Sequence, residues 1–334
     1  MTVQITILGL GQIGSSIGLA LANAKDQVLR VGSDKEPEVS KQAQKLGAID
    51  KISFSMPDAV AEADLVVLAV PADEVHYTLQ AIAAYLKAGA VVVDTSPVTV
   101  QSTQWAKELI TQEDRYFLTF TPAANARYLH ETDKGPSSAH ADLFKDNIIM
   151  LTSAPGVDAS AVSLAENLAR LLGATPIFSD PNEVDGLLST SHLLPALLAV
   201  SLVNITAGKA GWSDGRKLAG ARYARVAELA ELLDAGKKPA AEVLHNRENA
   251  LRAIDNLLIE LQELRDTIAS GDEEQLHARL ENARKAHLVW KQQRATGKWE
   301  EKSKSQIMPS FGESIGRLIG IRPKREREKN DGKN

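Results

Sequence analysis

Residues 9–14 read G-L-G-Q-I-G. They lie between Val3–Leu8, an alternating run that turns wholly apolar, and residues 13–24, which read as a helix. A glycine turn in that position constrains both neighbours. Gly9 permits the tight turn, Gly11 lets backbone approach a pyrophosphate, and Gly14 lets the helix pack closely on the strand. Gln12 and Ile13 complete the loop. The N-terminus of such a helix offers unpaired N–H groups to an anion. Asp34 follows twenty residues after Gly14, at the end of a second predicted strand, Val28–Ser33. A carboxylate there takes the ribose hydroxyls and repels a 2′-phosphate, so the expected cofactor is NAD rather than NADP.

The pattern then repeats. Residues 65–70 (LVVLAV) and 90–93 are apolar without alternation, as parallel strands covered on both faces are. Helical stretches at residues 37–46, 72–86 and 98–110 separate the strands, the first opened by Pro37 and closed by Gly47. Strands at 116–120, 147–152 and 175–178 and a helix at 158–172 continue the series. Beyond Asp180 only helices are expected: 182–207, a glycine-rich interruption at 208–220, 221–233, and 240–270. This last one carries Leu251, Ile254, Leu258, Leu261, Leu264 and Ile268 at three- and four-residue steps. Gly271 breaks it, and the acidic run Asp272, Glu273 and Glu274 favours the start of a final helix to about residue 294. The expected fold is α/β: a Rossmann-type, doubly wound dinucleotide-binding domain at 1–180, then an all-helical dimerisation and substrate domain at 181–295. The apolar stripe and the 193–203 segment together exceed what one small domain needs for its own core, which predicts a homodimer.

Composition narrows the function classes. With 334 residues, 44% of them hydrophobic, the chain is long enough for two cores. No cysteine is present, which excludes thiolate nucleophiles and Cys-type metal sites and suits a reducing, cytoplasmic home. No grouping of His, Asp and Glu has metal-ligand spacing. The formal charge is −5. From Thr296 onward ten Lys or Arg face six Asp or Glu, a surplus of four that leaves −9 for the rest. A mildly acidic body does not suggest nucleic acid, and the basic tail at 296–334 reads as a solvated, disordered arm. The N-terminus enters a strand pattern at once, so no signal peptide is read. The longest apolar run, residues 193–203, is interrupted by Pro195 and is shorter than a membrane span.

Four stretches carry a family resemblance. The extended loop I-L-G-L-G-Q-I-G-S-S-I-G-L-A-L, L-A-V-P ending at Val70 and Pro71, D-P-N-E-V-D-G-L-L-S-T-S-H-L-L-P from Asp180, and H-N-R-E-N from His245 resemble the prephenate and arogenate dehydrogenase family over roughly residues 1–295. The resemblance implies NAD(P)-dependent oxidative decarboxylation of a cyclohexadienyl substrate in tyrosine synthesis, on a Rossmann domain with a helical dimerisation domain. It also implies a cofactor contact at Val70 and Pro71, and a pocket residue at His192.

The sequence departs from the family where the chemistry should be. Where the family carries a His-Pro pair, whose histidine takes the substrate hydroxyl proton, this chain has Thr121 and Pro122, followed by a longer loop. The family serine that touches the nicotinamide corresponds to Pro97, with Ser96 one residue early. The run ending in a substrate-binding arginine corresponds to G-W-S-D-G-R-K, so Arg216 or Lys217, with Arg222 and Arg225 nearby, are the candidates for a dicarboxylate. A threonine hydroxyl is not a general base near neutrality. His130 and His140 in the longer loop are the candidates to replace it. His76, His245, His277 and His287 read as surface residues. Two alternatives stand beside the dehydrogenase reading: a diverged relative like the 6-phosphogluconate and β-hydroxyacid dehydrogenases acting on another carboxylated substrate, and an NAD(H)-binding protein without turnover.

Overall fold

A computed structural model describes residues 2–24, 26–133, 135–231 and 238–297. The N-terminal half is one eight-stranded sheet in the order β3-β2-β1-β4-β5-β6-β7-β8. Its strands are β1 (Val3–Leu8), β2 (Val28–Ser33), β3 (Lys51–Ile52), β4 (Leu65–Leu68), β5 (Val91–Asp94), β6 (Tyr116–Pro122), β7 (Ile148–Ser153) and β8 (Thr175–Phe178). Helices α1 (Gln12–Ala20), α2 (Pro37–Lys45), α3 (Met56–Val60), α4 (Ala72–Ile82), α5 (Thr99–Leu109) and α6 (Ala159–Leu171) connect them. Every residue of β4 and β5 is buried, because helices cover both faces of the sheet. Two apolar clusters result, one centred on Ile5, Ile7, Val67 and Phe120 and the other on Leu8, Val66, Leu68 and Val92.

The sheet departs from the simplest reading in two ways. β7 runs antiparallel to β6, so the long connection at residues 123–147 returns along the same edge instead of crossing over. β3 is a two-residue edge strand, with α3 just after it; neither has enough length to leave a periodic pattern.

The second half is helical: α7 (Pro181–Leu188), α8 (Leu194–Thr206), α9 (Trp212–Leu218), α10 (Ala221–Glu231), α11 (Lys238–His245), α12 (Arg247–Ser270) and α13 (Glu273–Thr296). Three sequence expectations need correction here. The glycine-rich stretch at 208–220 contains α9. The predicted helix 240–270 is two helices broken at Asn246, which is buried and donates from Nδ2 to Asp185 O at 2.9 Å. The expected helix at 182–207 is present, and what changes is the length weighed against a membrane span, since residues 193–203 are only part of it. A π-helical turn, Ser189–Leu193, fuses α7 and α8 into one 26-residue helix, Pro181–Thr206, long and apolar enough by length and composition alone to cross a membrane. Its first turns are nevertheless bound to the sheet half through polar contacts of Asp185 and Pro181. The tail beyond residue 297 lies outside the described residues.

His245 is also not the free surface residue its position suggests. Its ring meets Trp105 edge-on at 4.9 Å, and His76 also meets Trp105, at 5.5 Å, so α4, α5 and α11 join through one aromatic cluster. Burial lowers the His245 pKa below the ordinary 6.5, partly offset by Asp73. The folded state therefore favours the neutral ring. Its contribution to stability is present above about pH 6.5 and is lost as pH falls. Thermal melting of the chain is expected to drop between pH 7 and 5. His245→Phe, which keeps an aromatic edge on Trp105, should flatten that drop, and an identical slope in the variant would remove His245 from the account.

Helix α1 lies unusually close to its neighbours. A Cβ on Gly18 would stand 2.1 Å from the carbonyl oxygen of Ala48, a backbone atom that cannot swing aside. Helix propensity alone favours Ala over Gly by about 1 kcal/mol, whereas overpacking costs about 1–3 kcal/mol. Gly18→Ala is therefore expected to lower the urea midpoint, and a raised midpoint would show that the helix can retreat without cost.

Candidate dinucleotide site

Strands β1, β2, β4, β5 and β6 are parallel, so their carboxyl ends share one edge of the sheet. The strand order reverses direction between β1 and β4, and in open sheets of this kind a dinucleotide lies across the crevice at that point. Gly9, Asp34, Val70, Ser96 and Thr121 stand at those five strand ends.

Gly9 has φ 91°, a conformation glycine adopts without cost, and a Cβ on it would lie 2.4 Å from Ala69 O. A Cβ on Gly14 would lie 2.0 Å from Gly9 O. Both glycines thus permit backbone contact between the loop, α1 and the end of β4. Gly11 is the N-cap of α1; it has no side chain to cap the helix, and no acidic residue lies in the first turn. The amide groups at the start of α1, including Gln12 and Ile13, therefore keep their affinity for an anion. Asp34 Oδ2 accepts from Leu10 N at 2.8 Å and Oδ1 from Glu36 N at 3.0 Å. These bonds fix the carboxylate beside the loop while each oxygen retains a lone pair for a ribose hydroxyl. The residues present fit a dinucleotide.

The long connection after β6 reaches this same place. Gln12 Nε2 donates to Glu131 Oε2 at 3.1 Å and to Ser138 O at 3.0 Å, and Ser16 Oγ accepts from His140 N at 3.0 Å. The His140 ring stacks on Tyr128 at 3.8 Å and meets Glu131 at 2.9 Å. Tyr128 OH in turn donates to Asp142, and that bond raises the phenol pKa. His140 is thereby committed to its own loop, and His130 is exposed.

On the other side of the crevice the turn after β5 is pinned from within. Thr95 donates from N and Oγ1 to Leu68 O at 2.9 and 3.0 Å. Asp94 is buried and accepts from Ser96 N at 3.1 Å and Ser96 Oγ at 2.5 Å. Burial raises the Asp94 pKa, and the Ser96 bonds pull it back. Ser96 therefore spends its proton on Asp94 and keeps only acceptor capacity. Thr121 is half-buried, and its Oγ1 is buried without a hydrogen-bond partner. An unmet buried hydroxyl costs about 1–3 kcal/mol, so a ligand hydroxyl or carbonyl at that point would gain the bond.

The remaining candidates lie in the helical half. His192 lies in the π-helical turn, a distortion common at functional sites. Its side chain is 58% exposed and meets Glu242 of α11 at 3.1 Å. Arg216, Lys217 and Arg222 are exposed on α9 and α10, and Lys217 pairs with Asp214 of its own helix at 2.9 Å. No described contact joins them to Thr121 or Ser96. Sequence reasoning passed over Asp185, which is 1% exposed and binds the start of α5, and it gave no role to Glu131 or Tyr128. Their partners are 86 and 119 residues away for Asp185 and Glu131, so no local pattern marks them. Among the described residues no group of three or more His, Asp or Glu is placed to hold a metal ion.

Comparison with known proteins accounts for this arrangement. Residues 17–178 match the family description "Prephenate dehydrogenase, nucleotide-binding domain", and residues 180–282 match "Prephenate dehydrogenase, dimerization domain". The cyclohexadienyl dehydrogenase of Zymomonas mobilis is 28% identical over 301 residues, 87% of this chain and 98% of the relative. The prephenate dehydrogenase of Bacillus subtilis is 26% identical over 85% of this chain and 75% of its own length. In fold, the chain is similar to prephenate dehydrogenase from Aquifex aeolicus, solved with hydroxyphenyl propionate and NAD+, at a TM-score of 0.76 and 21% identity over 86% of this chain and 98% of the other. Matches to both family domains, in order and together covering most of the chain, show that it belongs to the prephenate dehydrogenase family.

Proposed function

We propose that this chain is an NAD-dependent oxidoreductase of tyrosine biosynthesis that carries out the oxidative decarboxylation of prephenate or arogenate. The observation that carries the proposal is the uncapped start of α1 with Asp34 held beside it, in a chain matched by both domains of the family. NAD, when bound, supplies the hydride acceptor. Gly9, Gly11, Gln12, Ile13 and Gly14 would hold its pyrophosphate, Asp34 its adenosine ribose, and Val70 and Pro71 would border its nicotinamide half. Arg216, Lys217 and Arg222 are the proposed partners for substrate carboxylates, with His192 lining the pocket. We divide the chain at residue 180 into an NAD-binding and a helical substrate domain. The exposed Leu251, Leu258, Leu261 and Ile268 on α12 support a homodimer built on the helical half. A cysteine-free chain suits the cytoplasm.

In the reaction proposed, the carbon bearing the substrate hydroxyl loses a hydride as the hydroxyl proton departs, and loss of CO₂ returns an electron pair to the ring, which becomes aromatic as its oxygen regains a proton. Ser96 accepts a hydrogen bond while Asp94 holds it in place. Thr121 orients the substrate hydroxyl without taking its proton, which must pass to solvent. The lack of a positioned base costs about 10²–10⁴-fold in rate, so turnover is expected to be slow. Thr121 equally favours a second reading, an NAD(H)-binding protein without turnover.

Two experiments follow. NAD should bind much more tightly than NADP, and Asp34→Ser should narrow the gap; equal affinities in the unaltered chain would remove Asp34 from the ribose. Thr121→His should raise turnover of prephenate or arogenate at least ~10-fold, at the low end of what a base supplies, and bring in a rate dependence near pH 6.5. If a folded, NAD-binding Thr121→His chain has negligible turnover, the second reading replaces the first.

A further inference from the structure

Helix α5 begins directly after the turn that carries Ser96 and Pro97, yet nothing in its own sequence caps it. The N-cap position is Val98, and the first turn contains no acidic residue. The cap comes instead from the helical half. Asp185 Oδ1 lies 2.7 Å from Thr99 N and 2.7 Å from Thr99 Oγ1, and Oδ2 accepts from Val100 N at 3.1 Å. Thr99 Oγ1 is also 2.8 Å from Pro181 O, so both ends of the first two turns of α7 hold the same residue. Thr99 and Asp185 are buried, and Asn246 ties the Asp185 backbone to the start of α12.

A buried carboxylate at a helix start does what an N-cap residue does, and its charge meets the positive end of the helix. Here it does so between the two halves of the chain. The turn it anchors is held at its other end by Thr95 on Leu68 O. Residues 94–100 are therefore clamped between β4 and α7. In a doubly wound sheet the strands beyond the switch point, here β4 to β6, receive the second mononucleotide of a dinucleotide, and the glycine loop and β2 receive the first.

We infer that Asp185 is a positioning residue: from the helical half it fixes the Ser96–Pro97 turn against the nicotinamide end of the bound dinucleotide. The inference rests on the NAD reading above. It explains why a carboxylate is kept where burial raises its pKa, since the N–H groups of Thr99 and Val100, with a Thr99 hydroxyl shared with Pro181 O, partly offset that burial.

The test compares NAD with ADP-ribose, which has the same adenosine and pyrophosphate but no nicotinamide. In the full chain with Asp185→Ala, NAD affinity should fall about tenfold, the size of one lost polar contact, while ADP-ribose affinity stays within about twofold. Asp185→Asn retains an acceptor oxygen, so its NAD loss should be smaller, and it serves as the reading if the alanine variant does not fold. Equal losses for both ligands, or no loss for either, overturn the positioning role while leaving the NAD reading intact. Failure of the unaltered chain to bind NAD overturns both.

Discussion

The approach of α1 to the backbone around it is the contact from which the rest of the site follows. Gly9, Gly14 and Gly18 bring the loop and helix against Ala69, the loop itself and Ala48 at distances no Cβ would allow. Beneath them the Arg30 side chain, 1% exposed, donates to the carbonyls of Gly18 and Gly47 at 2.8 Å and forms an ion pair with Asp50 at 2.6 Å. The helix cannot slide outward without breaking those bonds. Its open N-terminus is consequently aimed along the carboxyl edge of the sheet. A helix terminus alone contributes only about 0.3–1 kcal/mol to binding an anion, so the proposed preference for NAD rests on Asp34, whose carboxylate is held in place by the loop's own amide.

Polar groups join the two halves of the chain beside the aromatic contact of Trp105 with His245. Asp185 and Asn246 join α7 and α12 to α5, and at the far end Arg294 of α13 donates to Asn147 Oδ1 and Ala124 O at 3.0 and 2.6 Å. Burial lowers the Arg294 pKa, yet its two acceptors fix it on the connection that follows Thr121. Much of the apolar surface of the helical half faces outward, including Leu251, Leu258 and Ile205. A family domain described as a dimerization domain is consistent with that surplus.

The strands were legible because LVVLAV and its neighbours are short apolar runs set between helical stretches, the pattern of parallel strands covered on both faces. The glycine loop was legible because every position in it answers a local demand. What escaped were features set by partners distant in sequence. Asn246 breaks a helix whose apolar period runs on, because its side chain serves Asp185. The sense of β7 cannot be read from its composition, since parallel and antiparallel strands bury the same residues. His245 resembles any helix-surface histidine until Trp105 is placed beside it. Of the site, the cofactor-side residues stand at the strand ends the motif implies, whereas Arg216, Lys217 and Arg222 lie exposed on the helical half, with no described contact to Thr121 or Ser96.

The chemistry narrows to one hydroxyl. Thr121 occupies the strand end where the family resemblance calls for a base, its Oγ1 is buried without a partner, and the nearby loop histidine, His140, is paired with Glu131. On the proposed reading this hydroxyl would orient the substrate and leave proton removal to solvent. The most direct test is NADH absorbance when the unaltered chain is mixed with NAD and prephenate or arogenate. Slow, substrate-dependent NADH formation from one of them is expected; no NADH above the substrate-free control, with NAD binding intact, would contradict the dehydrogenase reading.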